Sequence, residues 1–419
     1  MIDQLLASPE FVDFWTLKFG DLLAINSKKL GDDGARAYHT WFRQQIADNV
    51  PLDRVVRELL TAQGDPAHYG PANFHKFTTD PRDMGEFVSR ALLGTRVACA
   101  RCHNHPFDRW TIDDYYHFAA YFARTGFENQ RLIQRTFGEV LHPKTGKEMR
   151  PQPLGGRKEL MERSGDRRVA LADWLAAPEN PLFARAIANR VWKELMGRGL
   201  VEPVDDLRPT NPPSNPELLD ALAAAFVQQG YDLRKLIRAI ASSRTYQFAS
   251  QVNEINRHDD RFFSHAYLKP LTAQVLADAI VQATGAPDEF AGYAPGTRAV
   301  TLIDPQVPSY TLDVFGRCPR TTSCENPAQF GGGLSQALHL VNGPAANAKT
   351  DKAVNRLLAE PRSIRAMVEE LYLRTVSRFP DSRGLTHWEH TFSKAESKQE
   401  VLEDLLWALL NSREFAFNH

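Results

Sequence analysis

Cysteine is scarce in this chain: four in 419 residues, far too few for a small disulfide-stapled scaffold. No apolar run reaches the roughly 20 residues a membrane-spanning helix needs. The opening Met1-Ile2-Asp3-Gln4-Leu5-Leu6 lacks the basic start and long apolar stretch of an export signal. As written, the chain reads as soluble and unexported. Neither sign of charge is in excess, with 50 Lys+Arg against 51 Asp+Glu and a net charge of -1. Binding a polyanion such as nucleic acid needs a basic surplus on at least one face, so no nucleic-acid partner is expected. Basic residues such as Arg317 and Arg320 read as solvated surface or internal ion pairs. Internal repeats, low-complexity tracts, a serine-hydrolase elbow and a His-Glu-x-x-His motif are all missing. Gly331-Gly332-Gly333 precedes a helix at Leu334, a place where anions can sit. No Lys-Ser/Thr follows it, so it reads as a hinge rather than a phosphate loop.

What remains is ordinary globular composition, 43% hydrophobic and 24% charged, in a chain too long for one core. Helix signals dominate. Ser8-Pro9-Glu10 supplies an N-cap, a proline at the first helical position and an acid in the first turn. Phe11, Phe14, Trp15 and Phe19 then line one face. Further helices are expected over 35–49, 52–62 and 81–93, the last stopped by Gly94. Thr111-Ile112-Asp113-Asp114 resembles a capping box ahead of Tyr115, Phe118, Ala119 and Phe122. Between 126 and 165 the character changes: 132–141 and 147–154 flank the turn-like Pro143-Lys144-Thr145-Gly146, which predicts a small β-hairpin and a polar linker. Helices resume at 169–177, 182–196, from Asn215-Pro216, after Asp232, and over 272–284, 334–342, 363–376, 385–394 and 398–411. The loop-rich stretch 285–333 has room for short strands. The expected architecture is mainly α: a helical domain over 1–125, a hairpin and linker over 126–165, and a helical C-terminal domain over 166–419.

The chemistry-bearing feature is Cys99-Ala100-Arg101-Cys102-His103. Its spacing is that of c-type haem attachment, where two thiols add across the haem vinyl groups and the adjacent histidine meets the iron. Asn104-His105-Pro106-Phe107-Asp108 follows. Cys99, Cys102, His103 and His105 can therefore also be read as a Cys₂His₂ zinc site, although the short step between the two histidines makes a tetrahedron awkward. A third possibility is a buried thiol pair and a histidine satisfied by backbone. Lying between two helices with apolar stripes, the segment is expected to be half-buried. For a sixth haem ligand the nearby candidates are Met84, His117, His75 and His68. Cys318 and Cys324, six apart, are close enough for a local disulfide or a shared metal.

Longer motifs surround that site. Leu93-Gly94-Thr95-Arg96, the run Cys99 to Thr111, Asp114-Tyr115-Tyr116 and Phe118-Ala119-Ala120 together resemble the planctomycete cytochrome-C-associated domain of unknown function. Ala170-Leu171-Ala172, Trp174-Leu175, Asn180 to Arg185, Asn189-Arg190-Val191-Trp192, Gly197 to Glu202, Asp205-Asp206, Ser243 to Gln247 and Phe315-Gly316-Arg317 resemble its usual companion, the planctomycete-specific C-terminal domain. The resemblance implies a haem or metal site at Cys99, Cys102 and His103. It also implies an extracytoplasmic protein whose intact form begins upstream of Met1, working with a redox partner or other exported proteins. The family tends to place a tighter Cys/Glu/Arg cluster where this chain has Cys318 to Glu325.

A second polar cluster, Asn189, Arg190, Trp192, Asp205, Asp206 and Arg208, can be imagined lining a cleft. Adjacent carboxylates rarely face the same way, so Asp205 and Asp206 are expected in salt bridges and caps rather than as an acid/base pair. Electron transfer through a c-type haem is the leading expectation, and a non-redox binding or scaffold protein with structural zinc is the rival.

Overall fold

The computed structural model describes residues 1–155, 165–324 and 334–418. Helix makes up 53% of the protein and strand 4%, so it is mainly α, as the apolar spacing predicts. Helix starts are written in side chains. Ser8, Asp80, Asn180 and Asn215 each accept a backbone N–H at the head of Pro9–Leu22, Pro81–Leu93, Pro181–Met196 and Pro216–Gln228. All four helices carry proline in their first turn, where its missing N–H does no harm. Gly94 ends Pro81–Leu93 in the left-handed region at φ 61°, a conformation that glycine adopts without a Cβ penalty.

The chain divides into two compact units, Met1–Tyr267 with Pro319–Glu325, and Leu268–Cys318 with Asn326–His419. In the first, Pro9–Leu22 lies on Asp32–Ala47, and Leu52–Thr61 lies on Arg167–Ala176. Pro81–Leu93 is packed by both Ile112–Ala119 and Pro181–Met196. Aromatic rings fill the first of these seams, with Phe19 and Phe42 at 5.4 Å between centroids. The second unit gathers Leu276, Val354, Val368, Leu402 and Leu406 into one buried cluster. Lys269–Pro270 and Phe417–Asn418 pair at its chain ends.

The helices just after the linker pack onto those before it, within the first compact unit. Several expectations about single elements need correction. Two small hairpins stand where one was expected, Thr125–Glu128 with Arg131–Gln134 and Val140–Leu141 with Glu148–Met149. Leu132 belongs to the first, opposite Phe127, and the Pro143–Gly146 turn closes the second. Between 285 and 324 the described residues hold a 3₁₀ turn, Ala299–Thr301, and a short helix, Tyr310–Val314, rather than strands. The helix Pro344–Leu358 was not expected at all. The glycine run 331–333 and part of the linker lie outside the described residues.

A buried ionic cluster joins the chain before the linker to the chain after it. Arg168, at 0% exposure, donates from Nη2 to Asp166 Oδ2 at 2.7 Å and from Nη1 to the Ala62 carbonyl at 3.0 Å. Its Nη1 also lies 3.4 Å from His75 Nε2, and His75 in turn faces the Leu59 carbonyl at 3.0 Å. Burial, aided by the Arg168 charge, pushes the His75 ring down from the ordinary 6.5 to about 3. Burial with the Arg320 and Arg43 charges takes His39 to about 4. Both rings are neutral in the fold, whereas in the unfolded chain each takes up a proton near its ordinary value. Stability is therefore complete above pH 6.5 and falls as pH drops toward the depressed values. Each ring contributes a slope of up to about 1.4 kcal/mol per pH unit. Urea denaturation from pH 4 to 7 is expected to show this decline, and His75→Gln to make it shallower. An equal slope in the variant refutes the assignment.

Candidate functional site

The Cys99–His103 segment spans the gap between the Pro81–Leu93 and Ile112–Ala119 helices, and its backbone is tied at several points. Ala98–Arg101 forms a 3₁₀ turn whose Ala100 is completely buried. Arg101 Nη1 reaches back to Asp83 Oδ1 at 2.8 Å and Glu86 Oε1 at 3.4 Å on the preceding helix. The Tyr116 hydroxyl donates to the Arg101 carbonyl at 3.1 Å, and Tyr115 donates to Glu86 Oε1. Beyond the motif, Asn104 Oδ1 accepts the Ile112 N–H at 3.1 Å, and the His105 N–H donates to the Trp110 carbonyl at 2.8 Å. Thr111 and Asp114 complete the expected reciprocal capping box. Thr210 Oγ1 donates to the Phe107 carbonyl at 3.0 Å.

This scaffold turns the motif outward. Cys99 and Cys102 are free thiols and both are exposed; His103 is exposed as well. The expectation of a half-buried site fails because the turn spends its one buried position on Ala100, leaving the cysteines on either side in solvent. The buried thiol pair imagined from the sequence is excluded for the same reason.

The two histidines differ in what their rings can offer. His103 Nδ1 lies 2.8 Å from the Asn104 carbonyl. A carbonyl can only accept, so the proton sits on Nδ1 and Nε2 keeps its lone pair, the second-partner arrangement typical of metal-binding imidazoles. His105 Nδ1 instead accepts the Phe107 N–H at 3.2 Å. Its lone pair is engaged there, and the neutral ring carries its proton on Nε2. Of these two, it is His103 that keeps an open Nε2.

Among the described residues no three His, Cys, Asp or Glu side chains converge on a point where an ion could sit. A Cys₂His₂ zinc site needs all four donors at one point, so these residues do not fit it as they stand. Haem attachment makes a different demand. The thiols bond at the porphyrin edge and only the histidine reaches the iron. Two free thiols and an imidazole with an open Nε2 fit that chemistry.

The candidates for a sixth ligand are placed elsewhere in bonding terms. His75 and Met84 are buried. His117 Nδ1 faces the Arg150 carbonyl at 2.6 Å, which leaves its Nε2 lone pair open as in His103, and His68 pairs with Asp65 at 3.0 Å on the surface. The second polar cluster is an ion-pair network, as expected. Asp205, almost fully buried, accepts from Arg90 Nε at 2.6 Å and Arg96 Nε at 3.0 Å. Burial works against its charge, but the Arg96 and Arg90 hydrogen bonds and charges outweigh it and hold the carboxyl below its ordinary value. Asn189 exchanges hydrogen bonds with the Val201 backbone at 2.8 and 3.0 Å. Cys318 and Cys324 are disulfide-bonded, which removes a metal role for them.

The family comparison bears on the whole chain. A model described as PSD1, protein of unknown function (DUF1553), matches residues 167–392, more than half of the sequence. The protein belongs to the PSD1 family. A second model, PSCyt2, protein of unknown function (DUF1549), matches residues 1–126 and includes the Cys99–His103 site. No curated protein matches, and no solved structure does. Together these are the domain pair that the motifs resemble. In this PSD1 protein the residues that hold the site loop, Arg101, Tyr115, Tyr116, Asp83 and Glu86, were not identified as such from sequence. Their signal is weak: an acidic pair three apart on a helix, and an arginine inside the motif.

Two outcomes follow for the PSD1 protein. In the folded, haem-free protein a thiol reagent such as dithionitrobenzoate is expected to titrate two cysteines rapidly, Cys99 and Cys102, with Cys318 and Cys324 reacting only after reduction. Asp205→Asn is expected to cost about 1–3 kcal/mol in urea denaturation while leaving that titration unchanged. A loss of rapid thiol reactivity in the variant contradicts a purely structural Asp205.

Proposed function

We propose that the PSCyt2 region of this protein carries a covalently attached c-type haem, with Cys99 and Cys102 as the attachment thiols and His103 as the axial ligand. The intact protein then works outside the cytoplasm, where haem c is attached, in electron transfer to a redox partner or within a complex of exported proteins. The observation that carries the proposal is the state of the three side chains. Both thiols are free and exposed, and the Asn104 carbonyl holds the His103 proton on Nδ1, leaving Nε2 available.

Bound haem supplies an iron that gains and loses one electron. The chain's own residues set the rest. Arg101, locked to Asp83 and Glu86, and Tyr116, bonded to the Arg101 carbonyl, keep the two cysteines at a fixed spacing. Asn104 serves twice, orienting His103 through its carbonyl and bonding the next helix start through its side chain. The exposed position of the loop suits exchange with a separate protein. Among the described residues no helix is long and apolar enough to cross a membrane.

The test is an absorption spectrum of the protein produced for export in a host with cytochrome c maturation, oxidised and dithionite-reduced, with a pyridine haemochrome assay. The expected result is a covalent c-type spectrum that His103→Ala or Cys102→Ala abolishes and His105→Ala leaves in place. A colourless protein with stoichiometric zinc overturns the proposal in favour of a structural site in a binding module. A colourless, metal-free protein overturns both.

A further inference from the structure

The turn that carries the two thiols of the site loop also decides which way they face. A 3₁₀ turn repeats about every three residues, so side chains at i and i+3 stack one over the other. Ala98–Arg101 is such a turn, and Cys102 closes it. Cys99 and Cys102 stand at i and i+3 and share one face. The exposure pattern agrees: Cys99 is exposed, Ala100 fully buried, Arg101 half-buried and Cys102 exposed again. Both thiols are free.

Bonds on either side hold that arrangement. The Ala100 N–H donates to the Val97 carbonyl at 2.9 Å. Arg101 Nη1 reaches Asp83 and Glu86, and the Tyr116 hydroxyl donates to the Arg101 carbonyl. The thiol pair is therefore presented to solvent already oriented, and a pair oriented in advance loses less freedom when it binds.

Donor number and donor softness then select a ligand. Soft thiolates suit Cu(I), zinc and iron–sulfur clusters. Zinc in a structural site takes four protein donors, and iron–sulfur clusters take four cysteines. Among the described residues no three donors converge, so Cys99, Cys102 and His103 do not meet as a group. Two sulfurs on one face are what remain, and Cu(I) is the ion that two thiolates satisfy. We infer that the haem-free loop is a two-thiolate site for Cu(I), held by Cys99 and Cys102. Each thiol releases its proton, both sulfurs bond the ion, and a bis-thiolate anion forms with no change in oxidation state. Haem attachment consumes the same two thiols, so the loop holds one or the other. The inference goes beyond the haem proposal and does not depend on it.

The measurement is an anaerobic competition titration of Cu(I)–bicinchoninate, with ascorbate present, against the haem-free full chain. The protein is made in a host without cytochrome c maturation, and its rapid thiols are first confirmed with dithionitrobenzoate. An equimolar amount of Cu(I) is expected to pass to the protein and to protect Cys99 and Cys102 from that reagent. Cys99→Ser and Cys102→Ser, both at exposed positions, are each expected to weaken binding at least about tenfold, because a single soft sulfur remains. His103→Ala and excess Zn(II) are expected to leave it unchanged. Retained affinity in either serine variant, loss in His103→Ala, displacement by Zn(II) or no uptake at all overturns the assignment. Cu(I) uptake by a chain that never gains haem sinks the haem proposal alone, and haem attachment without Cu(I) uptake sinks this inference alone.

Discussion

One buried guanidinium holds the first unit together. Arg168 has no solvent to turn to, so its charge must be met by the Asp166 carboxylate and the Ala62 carbonyl. An ion in that position is costly unless every hydrogen-bonding direction is used. Meeting the charge from Ala62 requires the start of the PSD1 segment to lie against the end of the Leu52–Thr61 helix. The PSCyt2 segment and the opening part of the PSD1 segment, matched separately in sequence, in this way share one compact unit. His75 is buried there, with its Nε2 turned to the Leu59 carbonyl.

The site loop shows the opposite economy. Its interior position goes to the smallest side chain, Ala100, and its long side chain, Arg101, bridges to two acids on the neighbouring helix. What is left on the outside is the chemistry: two thiols and an imidazole. The neighbouring histidines divide the work through their hydrogen bonds, His103 facing an acceptor and His105 a donor. Under the proposed haem attachment, that difference is what selects His103.

Much of this was legible beforehand, for physical reasons that can be named. Caps and helix-breaking glycines act locally, so Ser8-Pro9, Asp80-Pro81, Asn180-Pro181, Gly94 and the Thr111–Asp114 box announced their helices within a residue or two. The helix Pro344–Leu358 escaped notice although Gly343-Pro344 opens it, because its polar, alanine-rich face gives little apolar contrast. The two hairpins were merged into one because each is only two to four residues per strand, too short for alternation to register.

By itself, the sequence determined the helical class, most helix starts, the family pair and the three residues of the candidate site, since each of these depends on neighbours a few positions apart. Tertiary structure decided that the motif faces solvent, that His103 rather than His105 keeps an open nitrogen, and that Arg168 and Arg320 are buried. Each of those outcomes turns on a partner brought in by packing, such as Asp83 for Arg101, Ala62 for Arg168 or Asp21 for Arg320. Such partners leave no mark in the spacing of residues along the chain.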